Sequence, residues 1–546
     1  MSTDSFGLGQ AGDGLFLSQA VLNQKQGGGM LKVAARIACF LFVLWLPRLA
    51  LAEQSTLQVG VGSGDVSTLD PDRTSQTGDM ELIGWIYNGL VRFKPGSADP
   101  RDIEPDLAER WESSADGKTW TFRLRKGVKF QGDWGAFTAD DAVYSLDRAA
   151  DPKRSTFSSD FAAVESVTKL DDDTVRVVLK YPDVNFLGRV SNYHGGNIVS
   201  RKAAEKYGDD FGHHPVGTGP FAFVEQVTQQ YVKLAANEGY FRGRPKIDTI
   251  IVHNIPSDSA RELAFASGEL DLMDGKREQR WVDSARRRQD FNVDIFLPGE
   301  YRLLHINQTV PPLNDLRVRQ AIAAAINVDD LVRYVGKDVG FKGCSIVPPG
   351  HLGEDCSVGS YSFDLARAKA LLAEAGHPDG FTVKAIVSNI SAQRPFMEVI
   401  QAQLAKIGIK LDMQVVDHPT YQSQIRRDMS ALVFYGAARF PIADTYLSEF
   451  FDSKAIVGTP TAASNFSHCK IADAEIEGAR VASDPAAQKA MWTEAQRKIM
   501  ADVCAVPLFD LRQVWVHSDR LNYGYDLKGA MNLAPPITEA STVKPH

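Results

Sequence analysis

Hydrophobic and polar positions change their period several times along this chain. Leu57–Val61 alternates as a strand and runs into Gly62-Ser63-Gly64-Asp65, whereas Glu81–Leu90 spaces its apolar residues as a helix does. Thr119–Leu124 alternates strictly after the turn residues Ala115-Asp116-Gly117, and Thr174–Leu179 reads as another strand. Asp258–Ser267 and Asp315–Ile326 predict helices. Phe363–Ala375 predicts a strong helix, with Gly376 placed to end it. Thr382–Val387 then reads as a strand, Phe396–Ile407 as a helix and Lys410–Val416 as a strand. That alternation between 360 and 416 predicts a parallel sheet layered with helices. After residue 60 no internal repeat or low-complexity tract interrupts the pattern.

Residues Met30–Ala52 differ from the rest of the chain. Lys32 and Arg36 precede the uncharged apolar run Ile37–Leu46, and Ala50-Leu51-Ala52 supplies the small-x-small pattern of a signal-peptidase site. A run this short cannot cross ~30 Å of hydrocarbon, so a cleavable signal peptide is expected and not a membrane anchor. Cys39 lies inside the run and does not suit a lipid anchor. Residues 1–29 are rich in Gly, Ser and Gln and read as an extension outside the fold, ahead of a plausible start at Met30.

With 546 residues the chain is too long for one compact core. Hydrophobic and charged contents of 44% and 23% are those of a globular protein, and a net charge of −8 argues against nucleic acid as a partner. Removal of residues 1–52 takes away four cations and two carboxylates, which moves the charge from −8 to −10. It also takes away Cys39 and leaves Cys344, Cys356, Cys469 and Cys504. Export permits disulfides, and four cysteines allow three pairings. The expected pairs are Cys344–Cys356, which closes a short Pro/Gly-rich loop, and Cys469–Cys504; four buried thiols are the alternative. No Cys-x-x-Cys spacing points to zinc.

Several motifs succeed one another in order. They are Leu107–Phe130 (LAERWESSADGKTWTFRLRKGVKF), Phe137–Leu146, Pro215–Phe221 (PVGTGPF), Asn237–Gly243, Ser267–Asp271, Asn307–Leu313 and Asp315–Ala321. Together they resemble the signature segments of the family 5 solute-binding proteins, the oligopeptide/dipeptide/nickel/opine type, over about 57–530. Gly132–Phe137 departs slightly from the usual approach to the helix after it. Most of these motifs read as scaffold: Thr138 caps a helix and Gly217-Thr218-Gly219 permits a tight turn. Neither Gly217–Gly219 nor Gly60–Gly64 has the ending or the glycine spacing of a phosphate loop.

The resemblance implies an α/β, two-lobed periplasmic-binding-protein-like fold of type II with an enlarged first lobe, its mixed sheets flanked by helices. Lobe I is expected at 53–304 plus 511–546 and lobe II at 305–510, with the ligand enclosed between them. Gln393-Arg394-Pro395 matches the segment whose arginine pairs with the peptide carboxylate in dipeptide-binding relatives. Gly436–Asp444 matches the segment where those relatives carry an aspartate for the peptide ammonium, and here Arg439 takes that place. An arginine there repels an ammonium group and favours an anion. Tyr435, His418, Ser63 and Asp65 complete the expected ligand-binding set.

The resemblance thus implies a periplasmic, monomeric, non-enzymatic subunit that delivers a small anionic or zwitterionic solute to inner-membrane ABC permease subunits. An opine, a sugar-phosphate conjugate or a modified peptide has that chemistry, and a conventional di- or oligopeptide is the alternative. No cofactor is expected, and His213-His214 in a Gly/Asp-rich loop does not make a nickel site. An exported hydrolase is a remote rival, since neither Gly-x-Ser-x-Gly nor His-Glu-x-x-His occurs in the mature chain. A signalling receptor or chaperone of the same class would be told apart by gene neighbourhood.

Overall fold

The strand and helix periods translate into mixed α/β architecture. The computed structural model describes residues 55–62, 65–74, 76–183, 185–390, 392–458, 464–482 and 484–545. The expected signal segment 30–52 and Ser63 therefore lie outside the described residues. Thr56–Val61 sits inside the largest sheet, parallel to Thr249–Asn254 on one side and Leu272–Asp274 on the other. That sheet continues antiparallel through Tyr231–Ala236 and Phe221–Val227 at one end. At the other end it continues through Ala505–His517, Asn292–Ile306 and Leu432–Ala437. Leu57 and Val59, on one face of this strand, are fully buried.

Thr119–Leu124 and Thr174–Leu179 have the expected bounds and pair antiparallel in a four-stranded sheet with Ala108–Ser113 and Val164–Asp171. Phe381–Ser388 and Ile409–Val416 pair in parallel, and the helix Arg394–Ala405 makes the crossover between them. This is the layered unit that the alternating periods predict. Leu365–Glu374 forms the expected helix, with Gly376 just beyond it at φ 86°. The helix predicted over Glu81–Leu90 instead spans Thr77–Ile86, because Tyr87 turns extended at ψ 164°.

Apolar side chains gather into separate cores. One draws on residues between Leu57 and Phe296 together with Trp515–Val543. Two others draw mainly on residues between Val282 and Val514, and in one of these Tyr435, Phe450 and Phe466 meet Phe93, Tyr193 and Met531. The long strands Asn292–Ile306 and Ala505–His517 run through both regions. Cys344 is bonded to Cys356 and Cys469 to Cys504, with Cα atoms 5.2 and 5.7 Å apart.

The signature motifs turn out to be stitching. Buried Gln131, from the segment after Val128, donates to the carbonyls of Ile86, Gly219 and Phe221 at 2.9, 3.2 and 2.7 Å. Its Oε1 accepts the Gly217 N–H at 3.1 Å. A Cβ on Gly219 would stand 2.5 Å from the Ile86 carbonyl carbon, so only glycine lets these backbones meet. Thr138 opens the helix Ala139–Ala150, its N–H held by Asp141 Oδ2 at 3.0 Å.

Candidate functional site

A charged cavity forms where the loop around residues 183–194 faces the stretch after Leu432–Ala437. On the first side the Asp183 carboxylate accepts the Asn185 N–H at 2.8 Å and starts the short helix Phe186–Arg189. Ser191 Oγ closes that turn on the Gly188 carbonyl at 2.7 Å. On the second side Ile442 bridges to Leu352, and the helix Ala443–Phe451 begins. Thr445 and Glu449 lie four residues apart and share one face of this helix. The space, counted together with the open solvent at its mouth, is about 390 Å³ and is lined by Asp160, Phe161, Asn185, Gly188, Arg189, Tyr193, His194, Arg439, Phe440, Thr445 and Glu449.

Two guanidinium groups and two carboxylates face each other in it. Arg439 Nε bonds Glu449 Oε2 at 2.6 Å, and its Nη1 donates to the Ala438 carbonyl at 3.0 Å. Arg189 Nε bonds Asp183 at 2.6 Å, and its other nitrogens reach Asp160 at 3.6 Å and Asp444 at 4.0 Å. His194 Nδ1 lies 3.3 Å from Asp160, its ring stacked on Phe157 and Tyr193 at centroid distances of 4.1 and 3.6 Å. Burial holds the His194 imidazole below its ordinary pKa despite Asp160. Burial also acts against the Asp160 charge, but His194 and Arg189 outweigh it and keep that carboxyl below its usual range. At neutral pH the cavity thus presents two cations, two anions, a neutral imidazole and a phenol. Such a set can bind a solute that carries charges of both signs along with hydroxyl groups.

Of the candidates drawn from sequence, the structure brings Arg439 to this cavity. Tyr435 stands behind it, its ring against Phe450 and Phe466 at 6.0 and 5.0 Å and its hydroxyl 3.3 Å from Arg426 Nη2. Burial would raise the Tyr435 pKa, but Arg426 and Arg439 outweigh it and the phenol titrates below its ordinary value. His418 opens the helix His418–Arg426 and bonds Ser388 Oγ at 3.0 Å and Gln422 at 3.2 Å, away from the cavity. Asp65 meets Gln226 at 3.4 Å.

Arg394 is not among the residues that line this cavity. It is the first residue of the helix Arg394–Ala405, its side chain is 53% exposed, and it pairs with Glu398 at 2.8 Å. The contact one helical turn along captures the guanidinium and keeps it out of the cavity. Asp160, Arg189, His194 and Glu449 were not among the candidates. Glu449 could have been found as the acidic residue ten positions after Arg439 on the next helix, whereas Arg189 and His194 lie in the mixed segment Asn185–His194 and nothing near Asp160 in the chain marks it. His213 and His214 both lean on exposed Asp210, at 3.0 and 3.2 Å. Glu354 lies beside Cys344 and Cys356, but those sulfurs are bonded to each other and offer no thiolate to a metal.

Comparison with known proteins fits this architecture. The family model for bacterial extracellular solute-binding proteins, family 5, matches residues 102–457. The dipeptide-binding protein of Escherichia coli K12 is 31% identical over 382 residues, which cover 64% of this chain and 70% of that protein. The glutathione-binding protein GsiB of Salmonella typhi is 30% identical over 500 residues, 87% of this chain and 95% of that one. Among solved structures, the periplasmic binding protein MoaA of A. tumefaciens R10, in complex with mannopinic acid, is 46% identical with a TM-score of 0.85. The match covers 90% of this chain and all of MoaA. The fold is therefore that of the periplasmic binding proteins. Proteins of this family bind small-molecule or peptide ligands and work with ABC-transporter permeases. No described helix is long and apolar enough to cross a membrane. The chain belongs to the bacterial extracellular solute-binding proteins, family 5, and serves as the substrate-binding component of an ABC importer.

Proposed function

We propose that this chain is exported to the periplasm and captures an opine-type solute, an amino acid joined to a sugar-derived polyol, for delivery to its permease. The observation that carries the reading is the balanced set Arg189, Arg439, Asp160 and Glu449 around one cavity. A carboxylate of the solute would meet a guanidinium, its ammonium a carboxylate, and its hydroxyls Asn185, Thr445 and Tyr193. The 46% identity to a protein solved with mannopinic acid supports the same class. In this reading lobe I comprises 53–304 plus 511–546, lobe II comprises 305–510, and the mature monomer begins at Glu53. The long strands shared by the separate cores would be the crossing segments. The protein neither catalyses a reaction nor binds nucleic acid.

The decisive experiment is titration calorimetry with mannopinic acid and with a plain dipeptide. Binding of mannopinic acid, weakened by ~2–5 kcal/mol in Arg439→Ala, is the expected result. Heat with the dipeptide and none with mannopinic acid would overturn the reading in favour of peptide capture, which the dipeptide-binding relative keeps as the second possibility. N-terminal sequencing of exported protein should begin at Glu53, and retention of residues 30–52 would contradict the processing.

A further inference from the structure

We infer that Gly188 and Phe440 form the closure contact that sets how tightly the cavity shuts over its solute. The inference rests on the reading of the cavity as the solute site between lobes. Phe440 is almost fully buried, although it lies in a loop between a strand end and a helix start. Its ring reaches across the cavity mouth to two residues from the other part of the chain. It lies 5.8 Å from the Phe93 ring, and its Cδ2–Cε2–Cζ edge packs on Gly188. A Cβ added at Gly188 would fall inside the van der Waals envelope of that ring, 2.9 Å from Cδ2 and nearer still to Cε2 and Cζ.

Backbone conformation does not explain the glycine. Gly188 has no positive φ and sits in the helical turn Phe186–Arg189, where any L-residue fits. The side chain is absent so that the ring can come down. A polar contact accompanies it: Asn185 Nδ2 bonds buried Asp444 Oδ2 at 3.4 Å, beside Arg189. Residues 185–189 therefore meet 440–444 through one apolar and one polar contact, and both border the cavity. A side chain at 188 would stop the two walls short, leave the solute's charged groups in water and weaken every charge-assisted bond there.

The test uses the mature protein and mannopinic acid. Gly188→Val should weaken binding by about 10- to 100-fold, the effect of overpacking one tight contact, with the melting temperature nearly unchanged. Gly188→Val combined with Phe440→Ala should bind within about threefold of Phe440→Ala alone, because the two positions are coupled only through the clash. Unchanged affinity in Gly188→Val, or a double variant as weak as Gly188→Val, would overturn the inference. If Gly188→Val fails to fold, Phe440→Trp, which enlarges the contact from the other side, takes its place with the same expectation. A second arm needs no solute: Gly188→Cys with Phe440→Cys should be joined by a short bifunctional thiol reagent, read by mass spectrometry. Failure of that cross-link overturns the contact whatever the ligand. Wild-type protein that ignores mannopinic acid, together with a double-cysteine variant that cross-links, would refute the opine reading and leave the closure contact standing.

Discussion

His305 gives the sharpest test of the packing behind the cavity. It lies on the strand Asn292–Ile306, is fully buried, and neither ring nitrogen has a hydrogen-bond partner among the described residues. Phe450, Phe451 and Phe466 surround it at centroid distances of 5.9, 5.8 and 5.5 Å. Phe450 and Phe451 belong to the helix that presents Thr445 and Glu449 to the cavity. Burial alone pushes the imidazole down to about 3, against an ordinary value of 6.5. A histidine whose folded pKa is depressed is protonated first in the unfolded chain. Its stability contribution is intact above pH 6.5 and is lost as pH falls toward the folded value. Each pH unit in that window costs about 1.4 kcal/mol, so at pH 5 the wild-type chain has lost about 2 kcal/mol through this one group. His305→Phe removes the titration and keeps a ring in place. Urea unfolding of both proteins at pH 8 and pH 5 reads the difference, and the variant should gain about 2 kcal/mol on the wild type between them. Other titrating groups, such as His351 held down to about 4 and Asp72 pushed up to about 7, occur in both proteins and cancel. A stability difference that stays the same at both pH values would refute the assignment of a buried, neutral imidazole.

Three further outcomes are expected from the same contacts. Arg394→Ala should leave mannopinic acid affinity unchanged and stability within ~1 kcal/mol, because its pair with Glu398 is exposed; a large loss of affinity in calorimetry would return Arg394 to the site. Gln131→Leu should destabilise the protein by at least ~3 kcal/mol in urea titrations, since it strips partners from three buried carbonyls and one N–H. Joint replacement of Cys469 and Cys504 by serine should cost ~2–4 kcal/mol, and an unchanged unfolding midpoint would contradict a stabilising bond there.

Local order was legible in the sequence wherever one period dominated. Thr119–Leu124 alternates without a fault, and Leu365–Glu374 keeps one apolar stripe before a glycine stop, so both stand as expected. The predicted helix from Glu81 overran because Tyr87 and Leu90 continue the apolar spacing while their backbone is drawn extended by other parts of the chain. Leu90 N–H bonds the Val190 carbonyl at 2.9 Å, a contact a hundred residues away that no local window contains. The cavity was less legible for the same reason. Arg439 could be picked out because a short segment fixes its place in the chain, but Asp160, Arg189 and His194 become neighbours of Glu449 only through the tertiary fold. Arg394 fits the family segment, and in the structure its partner is Glu398, one turn on.

The segments that make the family recognisable and the residues that line the cavity are largely different sets, and the geometry explains the division. The Gln131 side chain ties the backbones of Gly217 and Gly219, and close approach dictates the glycines, so these identities hold for any ligand. Arg189 ends a short helix, Arg439 lies in a loop and Glu449 sits near the end of the next helix, all off the sheets, so substitution there would leave the sheets behind undisturbed. Charge makes the same point. Each arginine already has a carboxylate within 2.6 Å, so the cavity attracts no anion through net charge alone. Under the proposed function, a solute would insert its own carboxylate and its own donors between pairs that are satisfied without it. Selection then rests on the spacing of opposite charges along the solute. On the proposed reading, a positively charged residue at position 439 would disfavour an ordinary peptide terminus and still admit a zwitterion of different length.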